Sequence, residues 1–166
     1  MIKIPAFDEL IQKAPKELQV YHKKCDETEQ GTDWHAEGCV GIHNRIVYDR
    51  AKNTGDINLV LGAFFHDLGK VDTSAPNKKG GISAIGHERV SAKLAEKYSS
   101  WIEEMGGDAS AVYEIVKEHM RIKYFDVMKK AKQEKLRQNP YFKELLQFSD
   151  FDNMKTLTKD ELNRYK

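Results

Sequence analysis

INLVLGAFFHDLGKV, residues 57–71, is the stretch on which the fold turns. Ile57, Leu61, Phe64, Phe65 and Leu68 recur close to a 3.6-residue period, so the segment reads as a buried helix. Its last turn carries His66 and Asp67, and a buried charge among apolar neighbours is expensive without a partner. Gly69 lets the chain leave the helix, and Lys70 sets a cation at its end. A divalent ion would satisfy His66 and Asp67 together. For one such pair alone, a core histidine hydrogen-bonded to its neighbour is the plainer reading.

Upstream, CVGIHNRIVYDRAK (39–52) places His43 between Val40 and Ile46, on the inward face of a helix, and Asn53 to Asp56 form a turn. The polar stretch DETEQGTDWHAE (26–37) reads as a loop ending in Trp34 and His35. Before it, Asp8 can cap a short helix that Pro15 interrupts, and a second helix runs on to Lys24, with His22 among charges as a solvent residue. Downstream, Asp72 to Ile85 reads as a long loop, either a lid or plain surface. Gly86 and His87 open the helix HERVSAKLAEKYSSWIEEM, with an apolar stripe of Val90, Leu94, Trp101, Ile102 and Met105. Asp108 caps the next helix, where Val112, Ile115, Val116 and His119 share a face. Pro140 starts another, with Phe142, Leu145, Leu146 and Ser149 inward and Asp150 just beside them. Thr158 and Glu161 form a capping-box pattern for a small last helix. No convincing alternating strand is present, so the expectation is an all-α, single-domain bundle of six to eight helices over residues 1–166.

The chain has 166 residues, 40% hydrophobic and 32% charged, with a formal net charge of +1. That balance lacks the basic bias of a chain that lives on nucleic acid. No apolar run is long enough to span a membrane. The segment MIKIPAFDELI lacks the apolar core of a secretory signal, and Cys25 and Cys39 make neither a disulfide framework nor a CxxC pair. A cytoplasmic protein is expected. Oligomeric state stays open.

His43, His66, His87 and His119 come from four separate helices that must pack together, and Asp67 and Asp150 add two carboxylates. Imidazole and carboxylate suit borderline and hard divalent ions, so Ni, Co, Mn, Mg, Zn and Fe all qualify.

The order His43, then His66-Asp67 within HDLGK, then Asp150 resembles the HD-domain metal-dependent phosphohydrolases. WHAEG before His43 and GHERVS around His87 look like the HD domain attached to bacterial CCA-adding tRNA nucleotidyltransferases, a phosphatase and cyclic phosphodiesterase. The resemblance covers roughly residues 34–152, without their nucleotidyltransferase domain. One departure is Cys39, where those relatives commonly carry an acid before the first ligand.

The resemblance implies a metal held by His43, His66, Asp67 and Asp150. His87 and His119 are expected to hold the substrate phosphate and protonate the leaving oxygen. Alternatively they complete a second metal, with Asp67 bridging. The implied reaction is hydrolysis of a phosphomonoester or cyclic phosphodiester by metal-activated water. Asp67, Lys70, His87 and His119 are the catalytic candidates, and His35, Lys70, His87, Arg89 and His119 the substrate-binding ones. The expected partner is a small phosphorylated molecule such as a nucleotide, or an RNA end, and not a membrane. Lys78 and Lys79 can reach over the site from the loop. A basic group running from Lys117 through Lys123 to Arg137 reads mainly as a solvated face, the alternative being a grip on the phosphates of RNA or a nucleotide. The rival reading is a catalytically silent helical module that keeps a structural metal site.

Overall fold

The computed structural model describes residues 3–31 and 37–166. Along the chain come α1 (Phe7–Lys13), α2 (Lys16–Cys25), α3 (Val40–Lys52), α4 (Ile57–Phe65), α5 (Lys70–Thr73), β1 (Ser74–Pro76) and β2 (Ile82–Ala84). Then follow α6 (His87–Lys97), α7 (Ser99–Glu104), α8 (Ala109–Lys123), α9 (Lys130–Arg137), α10 (Phe142–Asp152) and α11 (Lys159–Asn163). Short 3-10 turns cover Phe125–Val127 and Met154–Thr156. The all-α architecture is borne out. The helices outnumber the six to eight expected because α1, α5, α7 and α11 are only one or two turns each.

α4 is the axis of the bundle. Every residue from Leu59 to Phe65 is buried, as a helix that is apolar all round must be. α3, α6, α8 and α10 pack around it. Gly62 lets α8 come close: a Cβ there would stand 2.7 Å from Ile115 Cγ2. Asp56 caps the helix by accepting from Asn58 N–H at 2.9 Å.

The helix expected to reach Val71 ends at Phe65, and His66 to Gly69 form turns before α5. Gly69 does not provide a left-handed exit, because its φ is −62°. Close approach explains it instead, since a Cβ there would collide with the His87 carbonyl oxygen. The first turn of α6 therefore sits directly on the His66-Asp67 turn, and Gly69 N–H donates to Ser91 Oγ at 2.8 Å.

Three further expectations are corrected. The loop after α5 contains a small antiparallel hairpin pairing Ser74 with Ala84 and Pro76 with Ile82. Its strands are three residues long, too short for an alternating pattern to be visible in sequence. The helix that opens at His87 breaks at Tyr98 into α6 and α7. His22 is buried rather than solvated, its ring 4.1 Å from that of Phe64. The caps at Asp108 and Thr158 form as expected. Among the described residues no helix is long and apolar enough to cross a membrane.

Candidate metal centre

Five elements converge where α4 ends. α3 brings His43, the turn after α4 brings His66 and Asp67, the first residue of α6 is His87, α8 brings His119, and the last residue of α10 is Asp152. All six are buried. Their donor atoms form two groups, one of His43, His66, Asp67 and Asp152 and the other of Asp67, His87 and His119, with atoms in each group within 4.8 Å of one another.

In the first group His43 Nε2 lies 2.8 Å from Asp152 Oδ1 and 3.2 Å from Asp67 Oδ2. His66 Nε2 lies 3.2 Å from Asp67 Oδ2, 3.5 Å from Asp152 Oδ1 and 3.3 Å from His43 Nε2. In the second, His87 Nε2 and His119 Nε2 stand 3.1 and 3.4 Å from Asp67 Oδ1 and 3.2 Å from each other. Asp67 thus offers one oxygen to each group.

The other ring nitrogens reveal the protonation pattern. Nδ1–H of His66 donates to Ala63 O at 2.7 Å, that of His87 to Ala84 O at 2.9 Å and that of His119 to Val116 O at 2.6 Å. A carbonyl oxygen can only accept, so each of these Nδ1 atoms carries a proton, and Nε2 is the nitrogen turned inward that would offer its lone pair to a bound ion. His43 Nδ1 faces Glu37 Oε1 at 2.9 Å in the same way. Such bonds on the far nitrogen are how ligating histidines are held in orientation.

The interior of the cluster is therefore lined with Nε2 atoms and carboxylate oxygens at 2.8–3.5 Å. Neighbouring ligands around an ion at about 2.1 Å stand roughly 3 Å apart, so the spacing and donor chemistry fit a divalent cation. The carboxylates draw positive charge into the cluster, which protons supply on the imidazoles until an ion displaces them. Burial alone would lower the pKa of His43, but Asp152, Asp67 and Glu37 push it up to about 10. Burial opposes ionisation of Asp67, yet His66 and Lys70 hold its carboxyl well below the usual range. Asp152 is held down likewise by Lys123, His43 and His66 against its burial. His119 is pushed down, chiefly by burial.

The HD domain model matches residues 40–156. The chain belongs to the HD domain family. No curated protein and no solved structure matches it. Family membership and the His/Asp clusters together support metal-dependent hydrolase activity.

The structure replaces the expected distant aspartate of this HD domain. Asp150 is exposed and lies on the wall of the adjacent cleft, whereas Asp152 is buried and joins the ligands. α10 buries Leu145, Phe148 and Asp152, spaced by three and four, while Leu146 faces solvent. Asp150, two residues from Asp152, points about 200° away around the helix.

Lys70 stands at the cluster, 3.1 Å from Asp67 Oδ2, and donates to Gln30 Oε1 at 2.6 Å. Arg89 is exposed and outside the cleft lining, and Lys78 and Lys79 lie in the exposed hairpin turn. His35 and Trp34 fall outside the described residues. Of the basic group, most members are exposed, but Lys123 reaches Asp152 Oδ2 at 3.3 Å.

Glu37 escaped the sequence reading. It supplies from two residues earlier the acid that Cys39 does not, and Cys39 instead caps α3 through its thiol. A cleft of about 790 Å³ opens over the cluster between the β1–β2 hairpin and the ends of α8 and α10.

Proposed function

We propose that this HD domain hydrolyses a phosphomonoester or a cyclic phosphodiester of a small nucleotide-like substrate. His43, His66, Asp67 and Asp152 would hold one divalent ion, and Asp67, His87 and His119 a second. The observation that carries the reading is the division of Asp67, with Oδ2 toward one pair of histidines and Oδ1 toward the other. A pair of bound ions supplies Lewis-acid charge for the phosphoryl oxygens and lowers the pKa of a coordinated water toward neutrality.

The chain's own groups do the rest. Carbonyls of Ala63, Ala84 and Val116 and the Glu37 carboxylate fix all four imidazoles, so little reorganisation is left for the reaction itself. Lys70 adds a cation facing the cleft. His87 and His119 suit ion binding better than proton donation, because their protons sit on the Nδ1 atoms that the backbone already holds. The cleft falls within the usual size range for small-molecule sites. Tyr124, half-exposed on its wall, offers a ring face for a base.

The test is a hydrolysis screen over nucleoside mono-, di- and triphosphates, 2′,3′-cyclic nucleotides and a 3′-phosphorylated RNA end, each with Mn²⁺, Co²⁺, Ni²⁺, Mg²⁺, Zn²⁺ or Fe²⁺ in turn. Turnover that chelation abolishes supports the reading. Tight metal and nucleotide binding without turnover on any ester would make the chain a silent module instead.

A further inference from the structure

We infer that Lys123 is a second phosphate-gripping residue, lining the same cleft as Lys70. This rests on the phosphohydrolase reading and adds to it a residue that binds the transferred phosphoryl group. Lys123 is four residues after His119, one turn further along the same face of α8 and toward the cleft. Its Nζ lies 3.3 Å from Asp152 Oδ2, while Asp152 Oδ1 is the oxygen turned toward His43 and His66. Lys70 Nζ pairs with the other carboxylate, 3.1 Å from Asp67 Oδ2, an oxygen that also faces His43 and His66.

Both lysines line the cleft. The Lys123 side chain is 31% exposed, so its ammonium is held by the cluster on one side and open to a ligand on the other. Lysine has three donors and makes only one ion pair with Asp152, which leaves donors for an incoming anion. Lys117 leans over the Tyr113 ring and Arg121 pairs with Glu118 on α8 itself, whereas Lys123 reaches across to α10. A phosphate over the two ligand groups would meet a cation from α5 and a cation from α8. It would bind by charge-assisted hydrogen bonds whose strength grows with its negative charge.

The experiment compares the wild type with Lys123→Met and Lys123→Arg, all loaded with Mn²⁺. One arm measures inorganic phosphate binding by calorimetry, and the other kcat and KM on the best ester from the screen. Lys123→Met should weaken phosphate binding and raise KM on the order of tenfold to a hundredfold, with Mn²⁺ content and melting temperature kept. Lys123→Arg should restore most of the loss. Unchanged phosphate affinity and KM in Lys123→Met would overturn the assignment. So would a loss that follows Mn²⁺ content, because Lys123 would then merely position Asp152. A wild type that turns over no ester defeats the hydrolase reading alone, and the phosphate arm then decides the lysine by itself.

Discussion

Asp152 and Asp150 lie on the same helix, yet only one can serve the centre. Asp152 Oδ1 meets His43 at 2.8 Å, while Asp150 is exposed. Asp152→Asn should abolish activity and release the ion of the first group, whereas Asp150→Asn should keep full metal content by elemental analysis. The segment FKELLQFSDFD admits two amphipathic frames, one through Leu146, Ser149 and Asp150 and one through Leu145, Phe148 and Asp152. Periodicity cannot choose between frames that each hold an acid, and only packing against α3 and α8 does so. Glu37 was harder still to read. It sits in a polar segment with several acids, and its partner His43 is defined by tertiary structure alone. His22 belongs to the same class of surprise. Burial and the nearby Arg45 charge, against a hydrogen bond to the Phe64 backbone, push it down to about 3 from 6.5. A neutral buried histidine adds stability above its unfolded pKa, and that stability is lost as pH falls from 6.5 toward 3. Each pH unit of that window is worth roughly 1 kcal/mol. His22→Phe should therefore flatten the decline of denaturant midpoint between pH 6 and pH 4.

At the scale of elements, α4 and its exit turn were legible and the joints around them were not. The unbroken apolar run fixed α4 as central, and HDLGK marked its end. Nothing local marks the break at Tyr98 or the seat of α6 on Gly69, because both depend on how helices meet. Gly69→Ala should lift the first residue of α6 away from the cluster. It should lower the melting temperature and weaken the ion site of His87 and His119 more than that of His43 and Asp152, as metal titration would show. α3 is tied to the end of α10 in two places. His43 reaches Asp152, and two turns on, Arg50 donates to the carbonyls of Phe151 and Asn153 at 2.9 and 3.1 Å while its other nitrogens hold Glu161. Arg50→Gln should loosen Asp152 and raise the dissociation constant of the first group selectively.

For the molecule as a whole, the ligands link five segments from residue 43 to residue 152. Metal binding and folding are therefore coupled. At a free ion concentration a hundredfold above its dissociation constant, one site adds about 2.7 kcal/mol to the folded state. For a chain of this size that corresponds to a melting temperature roughly 5–10 °C higher, which a chelator should remove and added Mn²⁺ restore. If chelation left the melting curve in place, the cluster would be held without an ion.

The sharing of one aspartate between two histidine pairs has a consequence for how the protein fills. If both groups bind cations, each would withdraw electron density from a carboxylate that its neighbour also needs, while fixing that carboxylate in place for it. Loading would then be a linked process and not two separate equilibria, and a calorimetric isotherm should resist any fit to identical independent sites. Mixtures of Mn²⁺ and Zn²⁺ should yield hybrid pairs in proportions that the affinities of the two separate sites do not predict.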